Sequence, residues 1–252
     1  MSTLTYWLGG VFLPLFPLSM AFNLLFSRVR NAKLRVALLL VWPQLGLSLV
    51  YTAHRPIPVW CLVLALFTSV LYAFRAIGLR EVGQWIGYLA TSAWALLWVG
   101  LFTHAEPSVV RLYAVGFSLP LMLLTLLGAR LERGFGAAYT GLYGGLAQTV
   151  PRTSGVLVGV VLAVVAAPLF PAFSAMLGTV IVTTPTMPLA ALTVALVWLL
   201  WTWAGVRLLQ GLIVGPADGS KAADLSLAST WAYVAVLVLL LAGGFYLTGD
   251  LL

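Results

Sequence analysis

The stretch "AVVAAPLFPAFSAML" (residues 163–177) decides the fold of this chain. It lies in an apolar run, roughly 153–181, that is long enough to cross a bilayer, yet it carries Pro168 and Pro171 three residues apart. Proline lacks the backbone donor and its ring collides with the carbonyl one turn back, so a helix over this run breaks near its middle. Inside a bilayer, irregular backbone survives only where protein or a water-lined cavity satisfies it, and transporters place such breaks beside ion or substrate sites. No side chain in the stretch is charged or titratable in the working range. The break is present and the charge is not.

The rest of the chain explains the setting. Its 252 residues are 62% hydrophobic and 8% charged, with a mean hydropathy of +1.08. A soluble domain needs far more polar surface, so this is an all-α polytopic membrane protein. Eight apolar runs have spanning length: 5–27, 36–53, 57–74, 84–103, 112–128, the broken 153–181, 188–208 and 227–247. No segments alternate polar and apolar residues in the manner of a transmembrane barrel. The whole chain, 1–252, reads as a single transmembrane domain.

The net charge of +7 follows the membrane and not nucleic acid. Arg28, Arg30, Lys33 and Arg35 follow span one; Arg75 and Arg80 follow span three; Arg130, Arg133 and Arg152 follow span five; Arg207 and Lys221 follow span seven. Of 13 positive residues only Arg55 and Arg111 fall in the other connections. By the positive-inside rule the eleven are cytoplasmic and both termini face outward. The first run has no charged region before it and no small-residue cleavage pattern, so it reads as a retained helix and not as a signal peptide.

Little else carries chemistry. Cys61 is the single cysteine, and His54 and His104 lie in outer connections without a cluster, so no disulfide, metal site or cofactor is expected. The Gly-rich segment 134–145 lacks a Walker lysine and a preceding strand. All six carboxylates (Glu81, Glu106, Glu132, Asp218, Asp224 and Asp250) lie in connections or at span ends. Arg75 and Arg207 can snorkel to the interface. An autonomous proton pump needs titratable groups through the bilayer, and this chain brings none. Pro151 marks the entry to span six, and Asp224 or Ser226 is placed to cap span eight. Trp94 and Trp98 share a helix face and read as packing residues.

Five blocks, in order, resemble the antiporter-like, proton-translocating subunits (chain M, L and N types) of respiratory complex I. The same subunits occur in membrane-bound hydrogenases, multisubunit cation antiporters and two-component inorganic-carbon transporters. The blocks are "GYLATSAWALLWVGLFT" (87–103), "YAVGFSLPLMLLTLLGARLER" (113–133), "GGLAQTVPR" (144–152), "APLFPAFSAML" (167–177) and "LIVGPADGSKAADL" (212–225). The likeness runs over about 75–247, with Gly128, Glu132 and Arg133 kept; residues 1–53 look like two generic opening helices.

The resemblance implies one five-helix antiporter-like unit at 57–208, with the broken helix at 153–181 and a C-terminal helix at 227–252. It also implies a lost function. The family's two relay histidines fall on Ala93 and Gly116, the glutamate of its broken helix on Met176, and a lysine of some relatives on Pro120. Full-length members contain two inverted units with the path between them, whereas eight spans hold one. The resemblance thus implies a non-pumping accessory subunit, not itself an enzyme, in a bacterial inner-membrane assembly of the complex I, hydrogenase or inorganic-carbon uptake kind. Its expected partners are other membrane subunits, including a full-length antiporter-like protein, and lipid; a cytoplasmic subunit is expected at loop 129–152. Arg130, Arg133, Trp198, Trp201 and Trp203 are the contact candidates. The alternative is a half-size transporter acting as a dimer.

Overall fold

The computed structural model describes residues 2–53, 56–141, 145–215 and 223–249. His54, Arg55, Asp218, Lys221 and Asp250 lie outside them. The described residues form α1 (Ser2–Phe12), α2 (Ser19–Arg28), α3 (Ala32–Thr52), α4 (Val59–Ala76), α5 (Val82–Phe102), α6 (Pro107–Phe135), α7 (Leu146–Thr149), α8 (Pro151–Val164), α9 (Pro171–Thr183), α10 (Pro188–Ile213) and α11 (Leu227–Gly249). Helices α3, α4, α5, α6, α10 and α11 are each long and apolar enough to cross a membrane. Four helices, α6, α8, α9 and α10, open on a proline, where the missing donor costs nothing and φ is already helical.

The expected break is present. α8 and α9 are the halves of one crossing, separated by 165–170, and Pro171 is the first residue of the second half. Ala166 and Leu169 take left-handed φ values of 58° and 76° to turn the chain. Such a conformation is uncommon for residues with a Cβ.

A second break corrects the sequence reading. The run 5–27 is not one helix but α1 and α2, interrupted at 13–18 around Pro14 and Pro17. The two halves still follow one path across the bundle. Tyr6 donates to the Pro56 carbonyl, Trp42 to the Val11 carbonyl, Ser19 pairs with Tyr72, and Asn23 bonds Thr91. The tetrapeptide Pro-Leu-Phe-Pro occurs at 14–17 and again at 168–171, one copy at each break. That repeat is the signal the sequence reading missed.

Boundaries also shift at the charged end. α6 runs 29 residues, roughly 43 Å at 1.5 Å per residue, so it extends well past the expected 112–128. It stops at Gly136, whose φ of +80° suits a helix C-terminus. The expected polar loop 129–152 is therefore partly helix.

α10 packs on α4 and α9, so α4, α5, α6, α8–α9 and α10 close into a ring. α5 is the most deeply buried of these helices: Trp85, Trp94 and Trp98 are almost fully buried. α1–α3 flank α5 and α6, and α11 lies along α8 and α9 with most of its surface facing outward.

Candidate functional site

The three positions on which the sequence resemblance places the family's relay residues are all interior and apolar. Ala93 on α5 and Met176 on α9 are 3% and 0% exposed, and Gly116 on α6 is buried. Gly116 meets the second break directly. A Cβ there would lie 3.2 Å from Pro171 Cβ and 3.4 Å from that residue's backbone, so the position is closed by α9. Pro120, one turn further along α6, is buried too.

Polar groups near these positions are numerous, but none of them titrates in the working range. Ser69 and Ser92 donate to each other's carbonyls at 2.9 and 2.8 Å, and the Trp201 indole donates to Ser92 Oγ at 2.8 Å. Trp94 donates to Ser118 Oγ at 3.2 Å. Thr91 accepts from Asn23 and donates to the Gly87 carbonyl, while Thr125 donates to the Leu121 carbonyl. The hydroxyls of Ser69, Ser92, Thr91 and Thr125 each have a backbone oxygen within reach, and the Ser69 and Ser92 hydroxyls also lie 3.1 Å from each other. These bonds tie α4, α5, α6 and α10 together, and none of the groups is an acid or base in the working range.

Both breaks are satisfied from within the chain. At the first, the Phe16 N–H donates to Thr68 Oγ1 at 2.8 Å, and the Trp98 indole donates to the Leu13 carbonyl at 3.0 Å. At the second, the Trp198 indole donates to the Ala166 carbonyl at 3.0 Å. Glycines let neighbouring helices reach the irregular backbone: Gly46 lies against Phe12 and Leu13, and Gly244 against Leu169 and Phe170. Ser174 Oγ donates to the Gly244 carbonyl at 3.0 Å and pairs with Thr248 at 2.8 Å. These groups need no neighbour from outside the chain.

The five contact candidates separate. Trp201 is 1% exposed in the chain's own core, so it offers no surface to a partner. Trp198 is partly buried, its indole spent on the break and its ring edge-on to Phe173 at 5.3 Å. Trp203 is 56% exposed. Arg130 donates to the Asp224 carbonyl at 3.0 Å, whereas Arg133 is exposed and, among the described residues, bonds its own helix at the Ala129 carbonyl.

Asp224 does not cap span eight; it caps α8 across the sequence. Its carboxylate accepts the Arg152 N–H at 2.9 Å, the Thr153 N–H at 3.0 Å, the Thr153 hydroxyl at 2.8 Å and the Leu225 N–H at 2.7 Å. Partial burial pushes its pKa up, but these four donors outweigh that and hold it below the ordinary 3.8. Ser226 caps α11 through the Ser229 N–H at 3.2 Å. Arg35 closes the same end of the bundle, 3.9 Å from Glu132. Among the described residues no three His, Cys, Asp or Glu side chains gather as a metal site. His104 is exposed in the α5–α6 connection.

No protein-family model matches the sequence, and no curated protein matches it either. Solved structures do. A chain of respiratory complex I from Thermus thermophilus superposes with a TM-score of 0.80 at 22% identity, over 94% of this chain and 52% of that one. A chain of the Mrp complex from Dietzia sp. DQ12-45-1b gives 0.81 at 14% identity, over 99% and 57%. A chain of the membrane-bound sulfane sulfur reductase, an archaeal respiratory membrane complex, gives 0.81 at 16%, over 96% and 52%. The fold implied by the sequence resemblance is the fold observed. The chain spans just over half the length of each of these neighbours.

Proposed function

We propose that this chain is a non-pumping, antiporter-derived membrane subunit that occupies a structural place in a larger ion-coupled assembly. The observation that carries the reading is the pairing of an intact break with an empty relay. The break is held by the Trp198 indole on the Ala166 carbonyl and by α11, which Ser174 ties to α9 through the Gly244 carbonyl, while Ala93, Gly116 and Met176 are buried and apolar. A proton crossing here would have no acid or base to use.

Chains of this fold in three multisubunit membrane complexes support membership of a larger assembly, and the sequence resemblance adds the complex I, hydrogenase or inorganic-carbon uptake kind. The exposed face of α11 and the outward Trp203 and Arg133 are the surfaces available for a full-length antiporter-like neighbour or a cytoplasmic subunit. The described charges support a cytoplasmic side at the end bearing Arg35, Arg80, Arg130, Arg152 and Arg207. Both termini then lie outside the cytoplasmic membrane of a bacterium.

A half-size transporter acting as a dimer is the competing reading, favoured by an apolar groove of about 600 Å³ between α6 and α11 that a second copy could fill. Affinity purification in mild detergent separates the two. Recovery of an antiporter-like chain supports the subunit reading; a stable two-fold dimer with no other chain replaces it.

A further inference from the structure

At the arginine-rich end of the bundle an open pocket of about 1030 Å³ lies between the α4–α5 turn, segment 137–141 and the last turns of α10. Backbone pairing builds its walls. The Val82 N–H donates to the Ala138 carbonyl, the Thr140 N–H to the Arg80 carbonyl, and the Gly141 N–H to the Gly211 carbonyl, at 3.0, 2.8 and 2.9 Å. Gly211 permits the last approach, since a Cβ there would lie 2.8 Å from Thr140 Cβ.

Arg80 and Arg207 both line this pocket, together with Gln210. Five other arginines are engaged: Arg35 with Glu132, Arg130 with the Asp224 carbonyl, Arg152 with the Leu225 carbonyl, Arg111 with Ser48, and Arg75 over the Tyr88 ring. Arg28 and Arg30, like Arg80 and Arg207, have no side-chain partner among the described residues, but they do not line this pocket. Among the described residues, neither the Arg80 nor the Arg207 guanidinium has a hydrogen bond, an ion pair or a ring partner. Glu81 does not supply one. A Cβ on Gly83 would lie 3.2 Å from Arg35 Nη1 and 3.4 Å from Glu81 Oε1, so that carboxylate faces Arg35. No described residue of the lining is acidic.

The surroundings select what two free guanidiniums meet here. Arg207 precedes the end of α10 by six residues, about 9 Å along the axis, which is headgroup depth. Trp203 and Tyr139, 56% and 42% exposed, also line the pocket, as amphipathic rings do at that depth. Leu189, Leu192, Leu196, Leu199, Trp203 and Val206 are all exposed and follow one face of α10 down to Arg207. That stripe offers acyl chains a course to the pocket. Basic pockets between membrane helices on the cytoplasmic side bind anionic headgroups.

We propose that this pocket holds the phosphate of an anionic phospholipid, clasped by Arg80 and Arg207, with its chains along the exposed face of α10. A soluble phosphate shares the headgroup chemistry but makes no use of the stripe.

The test uses the full chain, purified and delipidated in mild detergent, in native mass spectrometry with added phosphatidylglycerol, phosphatidylcholine or inorganic phosphate. Wild type is expected to retain phosphatidylglycerol over phosphatidylcholine. The double variant Arg80→Gln/Arg207→Gln is expected to bind phosphatidylglycerol about thirtyfold more weakly, about fivefold per guanidinium lost. Arg28→Gln/Arg30→Gln, with the same change in net charge, is expected to bind as wild type. If the double variant is not monodisperse, Arg207→Gln and Arg207→Lys decide, with a loss of about fivefold expected for the first and a smaller loss for the second. Equal weakening by the Arg28/Arg30 pair overturns the proposal, as does retention of inorganic phosphate without lipid selectivity. Loss of a protein partner from the double variant with unchanged lipid binding also overturns it, and assigns the pocket to an acidic protein segment.

Discussion

Two adjacent glycines on α11 should respond to the same substitution in opposite ways. A Cβ on Gly244 would press on the Leu169 carbonyl oxygen and lie 2.5 Å from the Phe170 carbonyl carbon and 2.8 Å from that of Leu169. These are backbone atoms of the second break, so no side chain can swing aside. Ordinary contact begins near 3.4 Å, so α11 and the break must separate by at least about 0.9 Å, the difference between 3.4 and 2.5, since the Leu169 oxygen is nearer still. That movement also stretches the Ser174 bond to the Gly244 carbonyl, now 3.0 Å. Overpacking of this kind costs about 1–3 kcal/mol and the weakened hydrogen bond about 1 more. A Cβ on Gly243 meets nothing within 4 Å. Gly243→Ala should be neutral or gain up to about 1 kcal/mol from helix propensity.

Unfolding of each variant in mixed micelles, followed by circular dichroism, gives the comparison. Gly244→Ala should be about 2–4 kcal/mol less stable than wild type. If Gly244→Ala and Gly243→Ala unfold together, α11 does not rest on the break, and the reading of the break as held within the chain fails.

Trp198→Phe keeps an aromatic ring beside Phe173 but leaves the Ala166 carbonyl without its donor; it should lose about 1–3 kcal/mol in the same assay, whereas Trp203→Phe should change little. Ala166→Gly should gain up to about 1 kcal/mol, because glycine takes the observed φ of 58° without steric cost. Asp224→Asn places an amide donor against one of the bonded N–H groups of α8 and should cost about 1 kcal/mol near neutral pH. Because the folded pKa of Asp224 is depressed, its contribution is present above the ordinary 3.8 and lost as pH falls through the folded value; melting curves of wild type and variant should therefore converge in strong acid. In the parent assembly, Met176→Leu should leave ion coupling unchanged, since no charge is lost. Met176→Glu should lower stability by about 2–4 kcal/mol, and a vesicle proton-flux assay showing lost coupling in Met176→Leu with assembly intact would contradict the non-pumping reading.

How legible each feature is in the sequence depends on how many residues carry its physical signal. Spans and charge bias are carried by many, so run lengths and arginine positions are sufficient for them. The break at 165–170 is legible because two prolines interrupt an apolar run. The break at 13–18 has the same Pro-Leu-Phe-Pro signature but is masked, because Pro14 and Pro17 fall in a run that otherwise looks like an ordinary first span. Trp201 resembles a surface residue because a tryptophan near a span end fits the interfacial belt. Its burial depends on Ser92, 109 positions earlier, accepting its indole proton. The role of Asp224 is hidden for the same reason. A cap is a local idea in sequence, but this one acts on Arg152 and Thr153, across a gap of more than 70 residues.

The persistence of the breaks beside an apolar relay then has a physical account. A charge resides in a single side chain, and a methionine can stand at position 176 without moving the backbone around it. A break is distributed. The second one involves two prolines, two left-handed residues, an indole from α10, a hydroxyl within α9 and close approaches by Gly116 and Gly244. Straightening it would strand the Trp198 donor and open space against both glycines at once. Continuous helix would recover only a few hydrogen bonds in exchange. Removing the charge and removing the break are therefore independent changes of very different cost. On the reading proposed above, the inexpensive change is the one this chain has made.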